Sequence, residues 1–171
     1  MVIDRERVKQ AFQEYTGRYD IHDEKIRLKV EHTYRVADIS EQIAEKLGLS
    51  EEDIALAWLI GMLHDIGRFE QLKRFNSFEA DTMDHATYGV KVLFEEGMIR
   101  QFIEEDTWDD VIRTAIAKHS DYELTGITDE RTLLHARLIR DADKLDNCRV
   151  KLEDAMEKWQ TVDQLPAEYR A

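Results

Sequence analysis

The chain has 171 residues, enough for one domain with a sizeable core. Its 37 acidic and 24 basic residues give a formal net charge of -13. That charge argues against a polynucleotide clinging to the general surface, but leaves room for a nucleotide-sized substrate held by a local metal and a few cations. One proline, seven glycines and 43% hydrophobic residues favour a compact, mostly helical protein.

Cys148 is the single cysteine, so neither an internal disulfide nor a multi-thiolate zinc cluster can form. The first residues are charged from Asp4 onward and lack the apolar core of a signal peptide. The longest apolar run, 54–63, is about half of what a membrane helix needs. A cytoplasmic chain that stays off membranes is therefore expected. No repeat, linker or low-complexity tract divides residues 1–171, and a single domain is expected over that range.

Helical periodicity runs through nearly the whole chain. A first helix is expected from Ile3 to about Tyr15, ended by Gly17. A second covers about Asp23 to Leu47, with Leu28, His32, Ile39, Ile43 and Leu47 on one inward stripe. Gly48 follows in the place of a C-cap glycine. Ser50, with Glu51, Glu52 and Asp53 after it, reads as an N-cap and an acidic first turn. The helix from Glu51 to about Asp65 is apolar nearly all round from Ile54, as a buried central helix is.

Gly67 then breaks the pattern, and Arg68 to Thr82 reads as a loop or broken helix. Asp84 caps a helix from His85 to about Glu96, stopped by Gly97. Another helix spans roughly Trp108 to His119. A turn near Gly126 leads to a long helix from about Glu130 through Asp146, continuing toward Trp159. The last segment, from Val162, reads as loop and a short helical turn. No run alternates as a strand does.

The string Met62 to Arg68, "MLHDIGR", places His64 and Asp65 together at the end of the most apolar helix. Two ionisable groups at the edge of a core are costly unless compensated. A divalent cation compensates both, because imidazole and carboxylate are good ligands for one. His32 lies on an inward stripe, His85 begins a helix, His119 ends one, and Asp143 lies on the long penultimate helix. Each taken singly has a plain structural explanation: a core hydrogen bond, a cap, a helix-dipole contact or a solvated charge. Helix ends and inward faces are also where side chains from several helices converge.

The ordered set His32, His64-Asp65, His85, His119 and Asp143 resembles the HD superfamily of metal-dependent phosphohydrolases. The surrounding text supports it: "EHTYRVADI" at His32, "HDIGR" at His64, "DHATYG" at His85 and "IRDADKLD" at Asp143, covering about residues 20–160. The resemblance implies an all-α, compact helical bundle of five or more helices with a central metal site. It implies one ion held by His32, His64, Asp65 and Asp143, and a second held by His85 and His119, with Asp65 bridging. Mixed nitrogen and oxygen ligands suit iron, manganese, cobalt, nickel or zinc without choosing among them.

Two such ions, about 3.5–4 Å apart, lower the pKa of a shared water and clamp phosphoryl oxygens. Beside Asp65 itself, Arg68 and Lys144 are the cations best placed to meet negative charge developing in the reaction. Many two-metal relatives carry lysine where Arg68 stands, and arginine is a poor proton donor though a good phosphate fork. Lys73, Arg74 and Lys118 read as solvated charges. His22 and His135 fall outside the motif, and Phe69, Phe75 and Phe78 read as packing before base stacking.

The expected substrate is a small phosphorylated molecule of nucleotide type, not a polymer; the pattern also looks like the branch that cleaves dinucleoside polyphosphates. The absence of a Gly-Tyr-Pro motif after the HD pair argues against cyclic-dinucleotide phosphodiesterases. Two other classes compete: di-iron oxygenases of the HD fold, which carry similar ligands, and non-catalytic nucleotide-binding modules, whose sites would usually have lost a ligand.

Overall fold

The computed structural model describes residues 2–158, and every regular element among them is helical. The segment from Val162 and the expected continuation to Trp159 lie outside the described residues. Helix α1 spans Arg5–Thr16, capped by the Asp4 carboxylate on Arg7 N–H at 3.1 Å. Helix α2 covers Glu24–Lys46, with Asp23 at its N-cap. Gly48 follows it with φ 70, and Leu49 N–H donates back to Ala44 O at 3.2 Å, as the cap glycine predicted.

Helix α3, Glu51–Leu63, begins on Ser50, whose hydroxyl accepts from Asp53 N–H at 3.2 Å. From Leu56 to Leu63 all its residues are buried, so it is the central rod of the bundle. Helices α1 and α2 pack on it, together with α7, Asp109–Lys118, and α8, Glu130–Lys158. The most extensive contact is α2 against α3. It is close because Gly61 has no side chain: a Cβ there would lie 2.6 Å from Ala37 Cα.

That tight seam corrects the stripe expected on α2. Its buried face is Ile26, His32, Thr33, Val36, Ala37, Ser40 and Ala44, while Leu28 and Leu47 are exposed. Small residues meet the glycine of α3, and the two leucines sit near the helix ends, beyond the seam. Ile39 and Ile43 are half-buried at its edge.

The stretch expected as loop or broken helix contains a helix, α4, Gly67–Phe75, followed by a connection over 76–84. The turn 64–66 separates α3 from α4, so Gly67 starts a helix. Phe69 and Leu72 face inward there, and Phe69 meets Phe12, Tyr15 and Tyr19 with ring centroids 6.0, 6.2 and 5.9 Å away. The buried polar Gln71 interrupts the apolar period, which hid the helix from a pattern reading.

Helix α5, His85–Val90, is capped by Asp84 and runs on through a π-helical turn, Lys91–Glu95, before Gly97. A short helix α6, Ile99–Phe102, follows; the sequence pattern had not marked it. Gly67 lets α4 touch α5: a Cβ on it would collide with the His85 carbonyl and lie 2.9 Å from Gly89 N. Gly67→Ala should therefore cost about 1–3 kcal/mol, read as a lower urea midpoint at unchanged slope. A midpoint equal to that of the unaltered chain would contradict this packing.

Candidate metal centre

Five elements deliver the groups singled out in the sequence. His32 comes from the middle of α2, His64 and Asp65 from the turn after α3, His85 from the first residue of α5, His119 from the C-cap of α7, and Asp143 from α8. All but Asp143 are buried. They form two groups that share Asp65: His32, His64, Asp65 and Asp143, and Asp65, His85 and His119.

The two oxygens of Asp65 divide between these groups. Oδ2 lies 3.3 Å from His32 Nε2 and 3.5 Å from His64 Nε2. Oδ1 lies 3.4 Å from both His85 Nε2 and His119 Nε2. Asp143 Oδ1 closes the first group at 2.9 Å from His32 Nε2 and 3.5 Å from His64 Nε2. In the second group the two Nε2 atoms are 3.0 Å apart.

The far ring nitrogens fix these imidazoles. His64 Nδ1 donates to Gly61 O and His119 Nδ1 to Ile116 O, both at 2.7 Å. His32 Nδ1 donates to Asp146 Oδ2 at 2.6 Å, and Asp146 is fully buried with Arg35 Nε 2.9 Å from its other oxygen. Such outer contacts orient a metal-binding histidine and leave Nε2 facing inward. The Nε2 atoms of His32 and His64 are buried and make no hydrogen bond of acceptable geometry. Converging nitrogens and carboxylate oxygens, with two orphaned ring nitrogens among them, fit a divalent transition metal.

Charge is balanced tightly here. Burial pushes Asp65 toward its neutral form, yet the Lys29 ammonium and the surrounding imidazoles hold it well below the usual carboxylate range. Burial likewise opposes ionisation of Asp143, and the neighbouring His32 and His64 imidazoles outweigh it, keeping the carboxylate ionised. Burial would lower His32, but the neighbouring Asp143, Asp146 and Asp65 carboxylates raise it to about 10. His85 is lowered by burial, whereas for His119 the bond to Asp65 outweighs burial and raises it.

Beside the first group lies a cavity of about 280 Å³, lined by Lys29, His32, Asp65, Arg68, Phe78 and Asp143 among others. Lys29 Nζ is 3.0 Å from Asp65 Oδ2, and Arg68 Nε is 3.9 Å from Oδ1. A larger cavity of about 400 Å³, near Tyr15, Tyr19 and Tyr88, contains none of the ligand groups. Lys144 is exposed and does not line the cavity by the cluster; α8 turns it away from Asp143. Lys73 and Arg74 are exposed as expected, and Lys118 lies at a separate cavity near Gly126. His22 is exposed, and His135 binds Asp53 at 2.9 Å, away from the centre.

Lys29, Asp146 and Gln71 were not singled out in the sequence. Lys29 lies one turn before His32, and Asp146 one turn after Asp143, so each shares a helix face with a proposed ligand. That spacing was the available signal.

Among the described residues, an all-helical bundle carries a buried histidine–aspartate cluster open to a cavity, which has the form of a metal centre. The family model of the HD domain matches residues 30–148, more than half of the chain. The protein belongs to the HD domain family, a superfamily of metal-dependent phosphohydrolases. No curated protein and no solved structure matches the chain.

The folded value of His32, about 10, lies above its ordinary 6.5. In metal-free protein its protonation therefore stabilises fully below the ordinary value, and this contribution is lost as pH rises through the folded one. A metal taking Nε2 displaces that proton, so affinity should strengthen with pH across this window. Calorimetry in buffers of different ionisation enthalpy reads the released proton, and a pH-independent affinity would count against it. Asp146→Asn should weaken metal binding about 10–100-fold by loosening the His32 ring. Unchanged affinity in that variant would remove Asp146 from the centre.

Proposed function

We propose that the protein is a metal-dependent phosphohydrolase that cleaves a phosphoester or phosphoanhydride of a small, nucleotide-like substrate. The observation carrying this is the division of Asp65, with one carboxylate oxygen facing each group of ligands. A carboxylate so placed can bridge two ions. His32, His64, Asp65 and Asp143 would hold one, and Asp65, His85 and His119 the other. Divalent ions there would supply a water of lowered pKa and polarise phosphoryl oxygens.

The chain's own groups do the remaining work. Asp65 holds both halves of the centre in register, and Asp143 closes the half that faces the cavity. Lys29 and Arg68 present positive charge on the cavity wall, where a phosphoryl group would enter. Arg68 has Nη1 committed to Gln71 Oε1 at 2.8 Å and Phe78 O at 3.0 Å, which fixes its fork for binding a phosphate. The structure favours Lys29 over Lys144 as the second cation, because Lys144 is exposed and off the cavity wall. No described helix is long and apolar enough to cross a membrane.

Asp65→Ala should lose bound metal and phosphate release together, and Asp65→Asn tests the same loss with the side-chain shape kept. Normal metal content with normal turnover in either variant would refute the assignment. His85→Ala should lose one ion and keep the other; elemental analysis showing unchanged stoichiometry would refute two ions. Iron-loaded protein should release phosphate without consuming oxygen, and oxygen uptake without hydrolysis would favour an oxygenase.

A further inference from the structure

Three phenylalanines lie between the His64-Asp65 pair and α5, and the structure gives them different surroundings. Phe69 is 0% exposed within the aromatic cluster of α1 and α4. Phe75 ends α4, exposed and off the cavity wall. Phe78 is 38% exposed and lines the cavity beside the proposed metal ligands.

The position of Phe78 is built. Two cations approach its ring, with Lys29 Nζ 5.1 Å and Arg68 Cζ 5.5 Å from the centroid. Its carbonyl accepts from Arg68 Nη1. The fully buried Gln71 side chain donates to Glu79 O, Thr82 Oγ1 and Met83 O at 3.0, 3.1 and 3.3 Å. The connection over 76–84 is thus pinned by a buried amide, and the ring is preorganised at the mouth. Leu28, 45% exposed on α2, is another apolar side chain on the same wall.

We propose, on the reading of this site as a phosphohydrolase, that Phe78 is its specificity-determining residue and that the substrate is a phosphoester whose leaving group carries a flat ring. The floor of the cavity holds His32, Asp65 and Asp143, with Lys29 and Arg68 beside them, which places the phosphoryl group deep. The leaving group then points outward, against Phe78 and Leu28. A ring gains stacking and apolar burial there. A hydroxyl-rich leaving group gives up water for surfaces that offer it no hydrogen bond. At about 280 Å³ the cavity is small for a ligand site, suiting one phosphoryl group and one ring.

The test uses manganese-loaded full-length protein and two unreactive probes, benzylphosphonate and methylphosphonate, compared by calorimetry. Stacking of this kind predicts about tenfold tighter binding of the benzyl probe, a preference that falls to within about twofold in Phe78→Ala. Phe78→Trp should keep the preference, and methylphosphonate affinity should stay the same in all three proteins. Equal binding of both probes to the unaltered protein would overturn the proposal, as would a preference that survives Phe78→Ala. A matching loss of methylphosphonate affinity would also overturn it, since Phe78 would then merely support the wall. Phosphate release from phenyl phosphate and glycerol phosphate is measured in parallel. A ring preference in binding with no release from either ester would defeat the hydrolase reading alone.

Discussion

A carboxylate buried at the end of the most apolar helix is the constraint on which the rest of the structure depends. Asp65 is 2% exposed, and its ionised form is costly there unless partners replace its water. Four imidazoles and an ammonium are arranged around it, from α2, the turn after α3, α5 and α7. Each would be expensive to bury singly. Together they share one anion, and Asp143 and Asp146 balance the histidines from α8. The bundle closes around a polar centre because the charges inside it are nearly complete.

Reaching that centre requires helices to come closer than ordinary side chains allow. Gly61 brings α3 against Ala37 of α2, and His64 follows three residues later, just past the end of α3, with His32 a little over one turn before Ala37 on α2. Gly67 does the same between α4 and the His85 carbonyl, so the start of α5 is held beside the Asp65 turn. The two glycines thus set the spacing of both halves of the site. Packing and chemistry meet in the same few residues.

Much of this was legible in the chain. Capping residues marked the starts of α3 and α5, and the all-round apolarity of α3 marked the centre. The six proposed ligand residues lie in the two groups that the family resemblance implied. What periodicity could not show were features fixed by particular neighbours. The buried face of α2 is set by Gly61 rather than by its largest residues, so Leu28 and Leu47 were misplaced. Helix α4 was obscured because Gln71, a polar residue, is needed inside to hold the loop. Lys29 was hidden among many lysines, since only the fold shows which ammonium reaches Asp65.

The pairing of Lys29 with Asp65 bears on the order in which the protein is assembled. Small zinc domains stay unfolded until their ion arrives, because binding of the ion supplies their folding free energy. Here an ammonium 3.0 Å from the Asp65 carboxylate serves as a counter-ion carried by the chain itself. The polypeptide can close its core first and acquire its ions afterwards. Scarcity of metal in the cell would then leave a dormant pool of folded molecules rather than a burden of unfolded ones.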